Sequence, residues 1–272
     1  MIASLPIYFR PELSAVYEKF WQTMRRRLRR SGIEAPDSLS YPERLNEHWQ
    51  NPDLLFSQTC GMPFRTYLKG KVHLVGTPDA GLPDCQAGHY CSLFVVHSGD
   101  ARRHLKDFAA AAFAFNSDDS HSGWAAALFE TETAGVEFGS FLETGSHLSS
   151  CHAIAEGQAE IAAIDAHSWR LITRFDGLSS RLRTIGSTAA SPSPPFITAR
   201  AELVDALCSA VISANRHMNS RERMAMGFLQ LLHIPAAHYF SVPEPSPTAA
   251  HSGRRMRKVC KQPQCRQATE FE

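Results

Sequence analysis

Hydrophobic positions along the chain keep changing their period, and the changes mark out the elements. Short apolar runs at 2–8, 53–57, 72–77, 92–97, 113–116, 138–143, 160–164 and 182–187 each end in small polar residues and read as buried strands. Between them, segments 13–30, 103–112, 124–133, 149–157, 167–174, 199–215 and 220–232 carry apolar positions at helical spacing. In the first of these, Val16, Phe20, Met24 and Leu28 share one face, and Arg25, Arg26, Arg27, Arg29 and Arg30 crowd the last turns. Cations there suit the negative end of the helix dipole. Strands alternating with helices predict an α/β fold with mainly parallel sheets covered on both faces. Segment 189–195, rich in Pro and Ser, reads as a loop or crossover. Beyond Pro243 the core-forming pattern stops, and 246–272 is expected to be a disordered basic tail around Arg254, Arg255, Arg257 and Lys258.

Composition narrows the function. The 272 residues are 43% hydrophobic and 20% charged, which suits a globular chain with room for two lobes. Lys and Arg number 28 against 27 Asp and Glu, so a net charge of +1 offers no overall field to nucleic acid or an anionic membrane, and any anion site must be local. The arginine cluster lacks interleaved aromatics and reads as a solvated helix end. No apolar run approaches the roughly 20 residues that span a bilayer. The first residues lack a basic n-region, an apolar h-region and a small-residue cleavage site, which by itself reads as a cytoplasmic protein. Seven cysteines form an odd set without CxxC spacing, against both a disulfide framework and a zinc site. Cys260 and Cys265 stand apart, because a basic tail exposes thiols and lowers their pKa. No metal or cofactor is called for.

In open α/β sheets, ligands bind beyond the carboxyl ends of strands. The loops there are rich in small donors: Tyr8; Ser57, Gln58 and Thr59; Thr77; Asn116, Ser120 and Ser122; Thr144, Ser146 and His147; Asp165 and Ser168. The strongest candidate is the stretch from Asn116 to Trp124, where a strand ends and hydroxyls open a helix. Free N–H groups and the positive dipole end favour an anion there, and Gly123 lets backbone approach it closely. An ordinary N-cap is the alternative. Thr144, Gly145, Ser146 and His147 repeat the design, with His147 read as a donor rather than a catalyst. Asp165 ends a strand where a carboxylate accepts from an ammonium or a protonated phosphoryl oxygen, or else caps the next helix. There is no GxSxG elbow, GxxxxGK[ST] loop or HExxH pattern. Cys60 with His147 is the remaining nucleophile and base pair, although burial of Cys60 behind a strand end is the preferred reading.

Six segments then match one family in unbroken order: ASLPIY (3–8), LFSQTCG (55–61), VGTP (75–78), NSDDSHSG (116–123), GSH (145–147) and AAID (162–165). Over roughly residues 1–200 the chain resembles the phosphate, phosphite and phosphonate substrate-binding proteins of ABC transporters. The resemblance implies the type II periplasmic binding protein fold, two Rossmann-like α/β lobes with mixed, mainly parallel sheets joined by a two-strand hinge. On this chain the lobes would be 1–92 plus 190–245, and 93–189. It places a small oxyanion between Tyr8, Ser57, Gln58, Thr59 and Tyr90 of the first lobe and Asn116, Ser120, His121, Ser122, Gly123, Ser146, His147 and Asp165 of the second. A non-enzymatic receptor, an ABC permease partner and a periplasmic location follow from the same likeness. His121 departs from it, standing where the family often has Gln, which implies pH-dependent affinity or a different oxyanion preference. A cytosolic enzyme or ligand sensor reusing the two-lobe fold is the alternative.

Overall fold

In the computed structural model, residues 1–246 and the strand at 256–258 are described. The chain opens with β1 (Ile2–Ala3), α1 (Ser14–Arg30), α2 (Leu45–Trp49), β2 (Leu54–Gln58), α3 (Gly61–Arg65), β3 (His73–Asp79) and β4 (His89–Tyr90). It continues through β5 (Ser92–His97), β6 (Ala112–Phe115), α4 (Ala126–Ala134), β7 (Ser140–Glu143), α5 (His147–Ala155), β8 (Ile161–Asp165), α6 (Ala166–Phe175) and β9 (Leu182–Ser187). It returns through β10 (Ser191–Pro192), β11 (Phe196–Thr198), α7 (Val204–Arg216), α8 (Ser220–Met226), β12 (Gln230–Leu232), α9 (Ala236–Phe240) and β13 (Met256–Lys258).

These strands form two sheets, ordered β1-β2-β11-β3-β12 and β13-β7-β6-β8-β5-β9. In the first, β11 lies antiparallel between β2 and β3. In the second, β6, β7, β8 and β13 run together and β5 runs against its neighbours β8 and β9. The sheets are therefore mixed, with one direction dominant. A two-stranded antiparallel link, β4 with β10, pairs Tyr90 with Ser191 and His89 with Pro192 where the chain passes from one sheet to the other and back.

Burial explains why these segments became strands. In β6, Phe113 and Phe115 join a core with Phe138 and Phe141, while Ala114 turns to the opposite core with Cys151 and Ile154. In β8, Ile161 and Ala163 face the first of these cores and Ala162 and Ile164 the second. Side chains alternate across a strand, and with helices on both faces each position is apolar. In α1 the stripe Tyr17, Phe20, Trp21, Met24 and Leu28 is buried against the core that includes Leu207 and Val211 of α7. Each such side chain contributes about 1.5–3 kcal/mol of burial. The helix ends at Ser31 and Gly32, the latter at φ 76°. Arg25 and Arg29 pair with Asp37, and Arg27 donates to Ser209 Oγ, so the cluster serves local contacts.

Three segments differ from expectation. The proposed helix at 103–112 is a 3-10 turn, Leu105–Phe108, leading into β6. Its alanines favour a helix, yet Ala110 sits at φ 63° and its N–H donates to the Glu137 carbonyl at 2.7 Å, so tertiary contacts override local preference. The helix at 220–232 stops at Gly227, φ 64°, and the chain turns into β12 against β3. Only Ile2–Ala3 of 2–8 is strand, because Pro6 follows. The 189–195 crossover contains the linking strand β10. Of the tail, Met256–Lys258 pairs in parallel with β7; 247–255 and 259–272, with Cys260 and Cys265, lie outside the described residues.

Candidate functional site

The carboxyl ends of β6 and β8 lie side by side, because Ala114 pairs with Ala162. After β6 the chain forms a short turn and then a π turn, His121–Ala125, which runs straight into α4. Ser120 caps it, accepting from Gly123 N–H at 3.2 Å. The Ala125 N–H reaches back five residues to the Ser120 carbonyl at 3.1 Å, and this wider turn carries Ser122 toward the sheet. Gly123 leaves room for its neighbours here: a Cβ would come within 1.9 Å of Asn116 Oδ1 and 3.2 Å of His147 Cε1. Asn116 Oδ1 is buried without a partner. Ser122 Oγ meets His147 Nε2 at 3.0 Å and Ser120 Oγ at 3.4 Å.

Burial lowers the His147 pKa to about 4, against a smaller pull upward from the Ala163 carbonyl. That carbonyl does not reach hydrogen-bonding geometry, and Nδ1 remains unpaired. Ser122 and His147 are thus within dyad distance, but no carboxylate orients the imidazole and its low pKa makes it a weak base. Cys60 does not meet His147; its Sγ accepts from His121 N–H at 3.2 Å, and burial holds the thiol pKa up.

Asp165 closes the site from the other side. It is 2% exposed, and its Oδ1 accepts from Ser168 N–H at 2.8 Å while Oδ2 accepts from Tyr8 OH at 2.9 Å. The capping reading holds, since Oδ1 caps α6, and Oδ2 is turned to Tyr8. Burial raises its pKa to about 6, offset in part by those hydrogen bonds. Ser92, paired with Asp165 in register, donates its hydroxyl to the Ser122 carbonyl at 2.8 Å, which ties the π turn to the end of β8. Tyr8 comes from the loop after β1, so its bond to Asp165 joins the two sheets' loops. Arg10 reinforces that closure with two bonds to Asp176 at 2.7 and 2.8 Å. Arg170 donates to the carbonyls of Ala80 and Gly81 at 2.9 and 3.0 Å.

Tyr8, Asn116, Ser120, Ser122, Gly123, His147 and Asp165 are thus brought together. His121 and Tyr90 form an adjoining group, with ring centroids 6.0 Å apart. The remaining candidates are engaged elsewhere. Ser57 Oγ meets Ser4 Oγ at 2.8 Å, Gln58 donates to the Pro194 carbonyl at 3.0 Å, and buried Thr59 donates its N–H to the Pro195 carbonyl at 3.1 Å and its hydroxyl to the Cys60 carbonyl at 3.4 Å. Ser146 Oγ caps α5 through Ser149 N–H at 3.0 Å. Sequence reasoning missed Arg65, whose Nη1 donates to His121 Nδ1 at 3.2 Å. The available signal was a single cation after the apolar stretch Met62, Pro63 and Phe64.

Burial and the Arg65 charge lower the His121 pKa to about 3. In the ligand-free protein His121 is therefore a neutral imidazole near pH 7. Because guanidinium only donates, Nδ1 must accept, and Nε2 carries the proton that it donates to Ser191 Oγ at 2.8 Å.

Open clefts of about 490 Å³ each lie along α1 and α7, lined by residues such as Gly32 and Glu34 or Ser209 and Ile212, none of them at a strand end. Among the described residues no helix is long and apolar enough to cross a membrane, and no three His, Cys, Asp or Glu gather as a metal site.

Residues 43–234 match the family described as ABC transporter, phosphonate, periplasmic substrate-binding protein. The chain belongs to that family. No curated protein matches the sequence closely enough to count. PhnD1 from Prochlorococcus marinus, solved in complex with methylphosphonate, is similar in structure, with a TM-score of 0.68 at 15% identity, over 88% of this chain and 94% of that one. A Xanthomonas citri protein bound to ATP gives 0.65 at 14%, over 87% and 92%. The binding-protein component of a phosphonate ABC transporter from Pseudomonas aeruginosa gives 0.65 at 14%, over 85% and 80%. At such identities these likenesses establish the fold, that of type II periplasmic binding proteins. Phosphonate-binding family members are substrate-binding proteins, normally periplasmic.

Proposed function

We propose that the chain captures a phosphonate, phosphate or related small oxyanion between its two lobes and acts as the receptor of an ABC importer, without catalysis. The observation that carries this is the meeting of strand-end loops from both sheets in one buried polar group: Ser120, Ser122 and His147 on one side, the Tyr8 and Asp165 pair on the other, and unsatisfied Asn116 Oδ1 and His147 Nδ1 among them. Buried polar atoms are rarely left unpaired, and Asn116 Oδ1, which only accepts, calls for a donor such as a protonated phosphoryl oxygen. Hydroxyls and backbone N–H groups suit phosphoryl oxygens. A ligand would displace the Tyr8 contact with Asp165 as the lobes open and reclose, a hinge motion for which the short β4 and β10 link is suited.

Asp165 defines the class further. A carboxylate beside an anion is repulsive unless a proton lies between them, and a carboxyl titrating near 6 shares one with a phosphoryl oxygen titrating in the same range. Sulfate has no such proton. Methylphosphonate held by PhnD1 agrees with this reading. The weak basicity of His147 and the separation of Cys60 from it support binding over turnover.

Calorimetric titration with phosphate, phosphite, methylphosphonate and sulfate tests the proposal. At least one of the first three should bind at least about tenfold tighter than sulfate, an order consistent with one unpaired charge-assisted hydrogen bond. Absence of heat with all of them, or equal affinity for sulfate, would refute it.

A further inference from the structure

Arg65 is a cation almost sealed inside the protein, with 3% of its side chain exposed. Nη1 donates to His121, which is neutral, and Nη2 has no partner. Nε lies 3.4 Å from a carboxylate oxygen of Glu244, outside hydrogen-bonding geometry, and Glu244 is itself 55% exposed. A buried guanidinium is costly unless a desolvated anion meets it. Glu244, largely in water, compensates poorly.

Two further buried hydroxyls lack partners at the link between the sheets: Tyr90 on β4, in electrostatic range of Arg65, and Ser193, just after β10. Tyr90 OH lies next to the Cys60 sulfur without a hydrogen bond of ordinary geometry, and Ser193 Oγ is likewise unpaired. Tyr90 is on β4 and packs on His121; Ser193 follows β10, whose Ser191 holds the His121 Nε2 proton. His121 thus joins two polar groups: the donors around Ser122, whose turn it begins, and the buried Arg65 guanidinium, with Tyr90 packed on its ring and in electrostatic range of both Arg65 and Asp165. The first suits a protonated oxyanion head. The second holds a guanidinium, which only donates, beside a Tyr90 hydroxyl that can donate to an anion as well.

Resting on the oxyanion reading, we propose that Arg65 binds a second anionic group of the ligand, so that the site selects phosphonates bearing a carboxylate on their organic arm over simple alkylphosphonates. Nη2 and Nε present two parallel N–H groups, the fork that matches a carboxylate. His121 fixes that fork by accepting from Nη1, a role that Gln fills only through its carbonyl oxygen. In the ligand-free protein Glu244 stands close to the fork and yields it when a ligand enters.

The test compares phosphonoacetate with methylphosphonate, which share a head and differ by the carboxylate. Calorimetry is run on the wild type, Arg65→Gln, Arg65→Lys and Glu244→Gln, with circular dichroism confirming each fold. The wild type should prefer phosphonoacetate by about tenfold or more, the scale of one charge-assisted pair. Arg65→Gln should bring the ratio close to one, Arg65→Lys should lower it severalfold, and Glu244→Gln should keep or raise it. A wild-type ratio near one, a ratio unchanged in both Arg65 variants, or its loss in Glu244→Gln would overturn the proposal. If Arg65→Gln does not fold, Arg65→Lys and Glu244→Gln decide. Methylphosphonate binding without the preference refutes this inference alone, whereas no binding of either probe refutes the oxyanion reading with it.

Discussion

Replacing Asp165 by Asn isolates one buried charge at the end of β8. The carboxyl is 2% exposed, and burial raises its pKa from 3.8 to about 6. In the unfolded chain it titrates near 3.9. Below that value it is protonated in both states and contributes nothing. Above about 6 it is ionised in both, and the folded state carries the whole cost of a buried carboxylate. The wild type therefore loses stability as pH rises through this window, because the folded state binds more protons than the unfolded one. Two pKa units at about 1.36 kcal/mol each give a loss of about 3 kcal/mol. Asn keeps the shape, caps α6 about as well as Asp, and accepts from Ser168 N–H. Asp165→Asn should thus be more stable than the wild type by about 3 kcal/mol at pH 7 and by less than about 1 kcal/mol at pH 4. For a chain of this length that is about 5 °C or more in Tm at neutral pH. Thermal unfolding of both ligand-free proteins across pH 4–8 reads it, and subtracting the curves removes every other titrating group. Parallel curves, or a variant less stable at pH 7, would refute a desolvated, ionised Asp165 in the folded state.

Gly123→Ala places a methyl 1.9 Å from Asn116 Oδ1, so Asn116 must leave its position. Ligand affinity should fall at least about tenfold with the fold intact, the worth of one or two polar contacts; unchanged affinity by calorimetry would remove Asn116 from the site. Arg10→Ala breaks the bidentate pair with Asp176, whose side chains are 14% and 15% exposed, and should open the lobes. Losing about 1–3 kcal/mol of closure weakens binding by about tenfold and enlarges the ligand-free particle in small-angle scattering. An unchanged scattering profile and dissociation constant would show that the pair does not hold the closed form.

Much of the architecture is legible in local pattern. The runs around Phe113 and Ile161 became strands buried on both faces, and the stripe through Phe20, Met24 and Leu28 became the core face of α1. Both follow from spacing alone, since periodicity is a property of consecutive residues. Elements too short to show a period escaped: β4 and β10, of two residues each, carry the chain between the sheets, and β11, of three, fills the middle of the first sheet. At 103–112 the pattern was legible and wrong, because Ala110 is held by Glu137 from a distant loop.

The site divides in the same way. Sequence alone determined that hydroxyls and amides gather at strand ends, and it singled out the turn from Asn116 to Trp124 and the position of His121. Which of those donors remain available was decided by the tertiary structure. Ser57 is taken by Ser4 and Gln58 by Pro194, whereas Ser122 meets His147 and Asp165 meets Tyr8. Only the fold set Arg65 against His121, turning a residue that titrates near neutrality into a neutral acceptor. The reason is physical: a side chain's type and spacing are written locally, but its hydrogen-bond partner, its desolvation and hence its charge state depend on residues that the chain brings back from far away.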